Sequence, residues 1–336
     1  MNYKKSLKKL RQYHYKWWNV TIIVIFFPLV WLMSWLCSKI FLGYLFNYKR
    51  SGTTKKGIEL NSYEHLLDDL ANKKVSEFDI EKDQIREFNI GKLSEQISAL
   101  IVRNKKSTKW VIGLHGFKRN KYIGLRNVYH FYKQGYNIIT FDGYAHGKSY
   151  GVKSDFGVTN AKLLNEVISW VKNSFEVSEI GVLGVSMGAA SSLQFVNTYY
   201  KDNKIDWLIA DCGFSNAVHQ IRFFLQKYLL IPWWLMSLGI NKNMRKKTKT
   251  NIKEVNLLKL DQSISDLRIL FIHGKQDDFI MYHNSVVMYY LKTNQEPEHK
   301  SYIKIYDNAK HSSSMHMNLN DYHKLTLNFI NKKMVS

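Results

Sequence analysis

The sequence predicts an α/β fold: a mostly parallel twisted sheet with helices on both faces, carrying a cap insertion and preceded by one N-terminal transmembrane helix. Three observations predict it. Short apolar runs alternate with helix-length segments from about residue 97 to 332, one of those runs enters Gly184-x-Ser186-x-Gly188, and the 22 residues Trp17 to Ser38 carry no charge.

Buried-strand patterns are expected near 97–102, 110–114, 136–141, 180–185, 207–211, 268–273 and 301–306. Helices are expected near 122–134, 159–174, 189–200, 283–293 and 319–332. Continuous apolar runs of this length suit strands buried on both faces. Strand–helix alternation with right-handed crossovers makes the sheet parallel, and ligands bind outside the carboxyl ends of its strands. More than fifty residues separate the runs at 207–211 and 268–273, too many for a plain crossover, and the cap insertion is placed there, at about 213–262. Within it, Tyr228 to Met236 is apolar and aromatic, and Arg245-Lys246-Lys247-Thr248-Lys249 follows. Two readings fit that run: a cap helix packed on the body, or an acyl-binding, bilayer-facing lid with basic anchors at headgroup level.

The chemistry concentrates around Ser186. An apolar strand, Ile180 to Val185, enters the motif and small residues leave it, which is the strand-turn-helix setting of a serine nucleophile elbow. Side chains at 184 and 188 would collide with neighbouring backbone, so glycine is required at both, and Ser186 is expected exposed at the top of the sheet. The strand Trp110 to Leu114 runs into His115-Gly116-Phe117, so the backbone N–H groups of Phe117 and Met187 are candidate oxyanion donors. The strand at 268–273 ends in His273-Gly274-Lys275-Gln276-Asp277-Asp278, and the last strand reaches Asp307-Asn308-Ala309-Lys310-His311. Ser186, Asp277 and His311 are therefore the candidate catalytic residues, with Asp278, His316 and His323 as competitors. His115 and His273 belong to glycine turns and are read as holding loops. No H-E-x-x-H or C-x-x-C is present, and no metal or cofactor is expected.

These residues carry a resemblance. His115-Gly116-Phe117, Asp142-Gly143-Tyr144-Ala145-His146-Gly147-Lys148-Ser149, Gly184-Val185-Ser186-Met187-Gly188, His273-Gly274-Lys275-Gln276-Asp277 and Ala309-Lys310-His311 resemble the α/β-hydrolase superfamily over about residues 80 to 333. Within it they are similar to the serine aminopeptidase/lysophospholipase-like group of bacterial membrane-anchored hydrolases. The chain order Ser, Asp, His is that of this fold. The family's H-G-x-x-D spacing selects Asp277 over Asp278. Its usual D-x-R-G-H-G-x-S is altered at two positions, Tyr144 for Arg and Ala145 for Gly, which bears on substrate preference. The resemblance implies a serine hydrolase, esterase- or lysophospholipase-like, acting on an ester or amide acyl substrate that is a small molecule, lipid or peptide. A peptidase, an acyltransferase or a non-catalytic scaffold of the same fold are the alternatives.

The uncharged segment 17–38 spans roughly 33 Å as a helix, against about 30 Å of hydrocarbon. Trp17, Trp18 and Trp35 sit near its ends, as interfacial aromatics do. Six basic residues precede it and no A-x-A-like cleavage site follows. Residues 1–60 are thus expected to form a single-pass anchor and stalk, with Asn47 to Gly57 as linker, and 61–336 the catalytic domain, placed outside the cell. A chain shortened to about residue 60 is expected to be soluble and to keep activity on small esters. The net charge of +22 comes from lysines scattered along the chain, with no nucleic-acid module, so nucleic acid is not an expected partner and lipid is. Cys37 and Cys212 define no disulfide.

Overall fold

The computed structural model describes residues 2–12, 16–50, 52–260 and 264–334. The expected cap boundary at 262 and the chain's last two residues lie outside the described residues. Eight strands form one sheet: β1 (Ile85–Ile90), β2 (Ile97–Val102), β3 (Lys109–Leu114), β4 (Asn137–Phe141), β5 (Glu179–Val185), β6 (Trp207–Asp211), β7 (Arg268–Gly274) and β8 (Tyr302–Tyr306). Their order is β1-β2-β4-β3-β5-β6-β7-β8. The pairs of β2 with β1 and β4 are antiparallel and the rest are parallel.

The seven expected strands are present within two residues of their expected bounds. Their apolar runs split by the two-residue period of a pleat. Trp110, Ile112 and Leu114 of β3 join the core on one face and Val111 joins the core on the other. The strand not foreseen, β1, has charged and half-exposed residues, as an edge strand does.

Helices cover both faces: α5 (Lys121–Val128), α6 (Val158–Ser174), α7 (Met187–Tyr199), α10 (His283–Thr293) and α12 (Leu319–Ile330), with a short α11 (Ser314–Met317) before the last. A further helix, α4 (Tyr63–Asn72), precedes β1 and is capped by the Ser62 hydroxyl, which accepts the His65 N–H at 3.2 Å. Between β6 and β7 stand α8 (Ala217–Tyr228) and α9 (Trp233–Thr248). The apolar run 228–236 is thus not one helix: it turns between the two, where Pro232 enters α9 at its N-cap, leaving Leu229 and Leu230 exposed and Trp233 and Met236 buried.

The N-terminal segment also departs from expectation. In place of one helix over 17–38 there are α2 (Trp17–Ile25) and α3 (Phe27–Leu45), parted at Phe26, with Pro28 in the first turn of α3, where its missing N–H is harmless. Of the two, α3 is long and apolar enough to cross a membrane. It packs along α9 through small and polar residues. The Gly239 N–H donates to Ser34 Oγ at 2.9 Å, and the Asn243 amide donates to Ser38 Oγ at 2.7 Å and to the Trp35 carbonyl at 2.8 Å. A Cβ at Gly239 would lie 2.4 Å from the Ser34 carbonyl oxygen, so only glycine permits this approach.

Residues 47–50, expected as linker, are docked on the body. The Tyr48 hydroxyl donates to the Ala145 carbonyl at 3.1 Å. The Arg50 guanidinium donates to the carbonyls of Gly151, Ser149, Gly147 and His146 at 2.6, 2.5, 3.2 and 3.3 Å. At the other end of the segment, α1 (Tyr3–Leu10) rests on α10, with Ser6 Oγ 3.0 Å from His283 Nδ1 and the Tyr3 and Tyr290 rings 6.0 Å apart.

Candidate active site

Ser186 sits between the last residue of β5 and the first of α7, with φ 58° and ψ −116°. Two glycines permit that turn. A Cβ at Gly184 would lie 2.4 Å from the Gly188 carbonyl oxygen, and one at Gly188 would lie 2.6 Å from that of Leu114. The Ser186 N–H donates to the Asp211 carbonyl at 2.8 Å, tying the elbow to the end of β6. Ser186 is at the top of the sheet, as expected, but it is only 6% exposed. Phe117, Phe279 and the cap helix α8 close over it, joined by Phe41 and Leu45 of α3.

The Ser186 hydroxyl is 3.0 Å from His311 Nε2, and His311 Nδ1 is 2.7 Å from Asp277 Oδ2. Asp277 lies in the turn after β7 and His311 in the turn after β8, so three strand ends deliver the three side chains. The second Asp277 oxygen accepts the N–H groups of Phe279 and Ile280 at 3.0 and 2.8 Å. Burial alone would raise the Asp277 pKa, yet hydrogen bonds from His273 and His311 hold it down at about 2. Asp278 is exposed and its carbonyl accepts from Lys227 and Tyr228. His323 pairs with Glu77 at 3.3 Å, away from Ser186.

The other two glycine-turn histidines hold loops. His115 Nδ1 donates to the Gly116 carbonyl at 2.8 Å and Nε2 accepts the Gly143 N–H at 2.9 Å. His273 bridges Ser285 of α10 and the Ile280 carbonyl, at 2.7 and 2.8 Å. Phe117 follows the His115 turn, and an added Cβ on Gly116 would touch the Ser186 side chain at 3.3 Å. Met187 opens α7, so its N–H has no partner inside the helix. Both residues line the recess that Ser186 lines.

The loop 142–149 braces this site. Asp142 accepts from Lys121 N at 2.8 Å, Asn61 Nδ2 at 2.9 Å and Lys148 N at 2.9 Å. Ala145, standing where the family carries glycine, takes φ 59°. A guanidinium reaches this loop from Arg50 rather than from position 144.

Five residues near Ser186 carry no signal that the sequence motifs include. Asp211 lies below the elbow, its carboxyl pushed up to about 6 by burial while the Ser314 hydroxyl donates to it at 3.1 Å. Lys73 and Arg119 border Ser186 on one side, and Phe41 and Leu45 on the other. Acids at strand ends were a usable signal for Asp211, but nothing local marks the rest. Cys212, Asp277 and His311 place one ligand atom each within 4.8 Å of one another. Burial pushes the Cys212 thiol well above its ordinary range, which keeps it protonated and a poor ligand, and His311 and Asp277 are already bonded to each other.

The model of the α/β-hydrolase fold family matches residues 109–242. The chain is 28% identical over 221 residues, 66% of its length and 70% of the relative's, to the uncharacterized protein YqkD of Bacillus subtilis (strain 168). The Pyrococcus furiosus esterase Pf2001 superposes with a TM-score of 0.61 at 20% identity, covering 86% of this chain and 100% of that one. The Pyrococcus horikoshii acylaminoacyl peptidase gives a TM-score of 0.53 at 17% identity, over 82% of this chain and 44% of the peptidase. Strand order, family match and solved structures agree on the fold: the chain has the α/β-hydrolase fold.

Proposed function

We propose that the protein is a serine hydrolase that cleaves an acyl ester through a covalent intermediate. One observation carries this reading: Ser186, His311 and Asp277 form a continuous hydrogen-bonded chain of 3.0 and 2.7 Å at the strands' carboxyl ends. His311 takes the Ser186 proton as Oγ attacks the carbonyl carbon, and the Phe117 and Met187 N–H groups receive the developing oxyanion. Asp277, ionised at any working pH, fixes the Nδ1–H tautomer and stabilises the imidazolium. His311 then protonates the leaving group, and water frees the acyl group. The esterase among the structural neighbours is in keeping with this reading, and the peptidase makes an amide substrate its nearest alternative. The test is labelling with a fluorophosphonate probe: the wild type should label and Ser186→Ala should not. Equal labelling of both would refute the nucleophile, and an unlabelled wild type would favour a non-catalytic scaffold.

Membrane attachment belongs to the same proposal. The apolar α3 serves as the anchor, with the catalytic domain outside the cell. The contact of α1 with α10 favours a second arrangement, in which both flanks of α2–α3 stay on one side and the pair lies along the bilayer surface. Protease treatment of intact cells separates them: a tag on residue 1 is protected while the domain is cut if α3 spans, and both are cut if it lies in the plane.

A further inference from the structure

Ser186 stands between two recesses of opposite character. One, of about 90 Å³, is apolar and is lined by Phe41 and Leu45 of α3 together with Phe156, Phe214, Ile221 and Phe224. The other, of about 260 Å³, is bordered by Lys73, Arg119, Arg126, Asn127 and His316. Phe117, Ser186 and Phe279 line both, so they form the partition. His311 lines the basic recess and not the apolar one.

The charges of the second recess do not cancel. Asp69, outside its lining, is ion-paired to Arg126 at 2.5 Å and to Lys73 at 3.3 Å. Arg119 is exposed and has no ion-pair partner among the described residues. Three cations thus share one carboxylate. The same field is felt by His316: burial first, then the Lys73 and Arg126 charges, push it down to about 4, so the ring stays neutral and adds no positive charge near pH 7.

The position of His311 orients the substrate. The leaving oxygen must take its proton from His311 Nε2, so the leaving group departs into the basic recess and the acyl chain occupies the apolar one. A cavity of about 90 Å³ holds roughly three waters at about 30 Å³ each, the room of a short acyl chain.

Building on the serine-hydrolase reading above, we propose that the substrate is an amphiphilic ester: a short acyl chain in the α3-walled recess, and a leaving alcohol bearing a phosphate or carboxylate against Arg119 and Lys73. In the reaction the Ser186 Oγ–carbon bond forms, the carbon–oxygen bond to the anionic alcohol breaks, and the serine's proton passes through His311 to that oxygen. Water then splits the acyl–serine bond, restoring the hydroxyl and releasing the carboxylic acid.

The experiment compares kcat/KM of the full chain in nonionic detergent on three butanoyl esters: of glycerol 3-phosphate, of lactate, and of uncharged glycerol. A preference of about tenfold or more for an anionic ester over the glycerol ester is expected, as one charge-assisted contact supplies. The phosphate and lactate esters distinguish which anion is read. Arg119→Gln and Lys73→Gln should each lower that ratio about threefold, whereas Lys201→Gln, on an exposed turn remote from the site, should keep it. Equal turnover of charged and uncharged esters, or a ratio untouched by Arg119→Gln, overturns the proposal while fluorophosphonate labelling still upholds the hydrolase. Loss of both labelling and turnover in the wild type overturns the two together.

Discussion

Removing residues 1–50 should destabilise the α/β domain that follows them. Phe41, Leu42 and Phe46 are 6%, 0% and 3% exposed and belong to the core cluster on the α6–α7 face of the sheet. At about 1.5–3 kcal/mol for each fully buried side chain, their loss removes about 5–9 kcal/mol, an upper bound because unfolded chains already bury some apolar surface. The Arg50 bonds to the 146–151 carbonyls add about 2 kcal/mol, discounted because the guanidinium is partly exposed to water. Against a total stability of about 5–15 kcal/mol, this is most of the margin. Thermal unfolding in nonionic detergent should show Tm lowered by about 15 °C or more in the shortened chain, and by about 4 °C in Arg50→Ala alone. A chain starting at residue 51 that melts within about 3 °C of the full chain, and labels with fluorophosphonate at the same rate, would refute the docking of residues 41–50.

Three further outcomes are expected. His311→Ala should depress kcat almost as far as Ser186→Ala, by about 10⁶-fold, Asp277→Asn by about 10⁴-fold and Asp278→Asn hardly at all; a larger loss in Asp278→Asn than in Asp277→Asn would reverse their assignment. Because the folded Asp277 pKa is depressed to about 2, its ionisation stabilises the fold above the unfolded value near 4 and that contribution, about 2–3 kcal/mol, is lost as pH falls from about 4 to about 2. The raised Asp211 acts with the opposite sign, its contribution fading as pH rises through about 6, so denaturant midpoints of Asp277→Asn and Asp211→Asn across pH 2 to 8 should diverge from the wild type in opposite windows. Gly239→Val should part α3 from α9 at a loss of about 1–3 kcal/mol and blur acyl-length preference, whereas Gly43→Ala, whose added Cβ meets nothing within 4 Å, should do neither in the same melts and ester series.

How far the molecule was legible in its residues depended on the range of the interactions. The elbow could be read because its constraint is largely local: Gly184 is required by the Gly188 backbone four residues on, and Gly188 alone answers to a distant one, at Leu114. The parallel strands could be read because burial on both faces leaves an unbroken apolar run. β1 escaped notice because Ile-Arg-Glu-Phe-Asn-Ile is half polar, and its identity as a strand depends on pairing with β2 rather than on its own pattern. The break at Phe26 and the exchange of 17–38 for 27–45 were hidden because Ser34 and Ser38 look like ordinary tolerated residues of an apolar span. Their purpose appears only once Gly239 and Asn243 stand opposite. Arg50 was lost in a basic, polar stretch of linker composition, since its partners are backbone carbonyls that no side-chain pattern announces. The basic recess drew on the end of α4, the β3–α5 loop, α5 and α11, four places that share no motif.

The α3–α9 contact also sets an order of events during synthesis. Ser34 and Gly239 are 205 residues apart, so at about 5–20 residues per second α3 leaves the ribosome roughly 10–40 s before its partner exists. Throughout that interval the helix carries an uncovered apolar surface, and collapse, aggregation or a lipid surface must compete for it. Capture by the bilayer is the competitor that keeps α3 both helical and available. The nascent chain would then be held at the membrane first and acquire its apolar recess later, when α8 folds down onto a wall already in place.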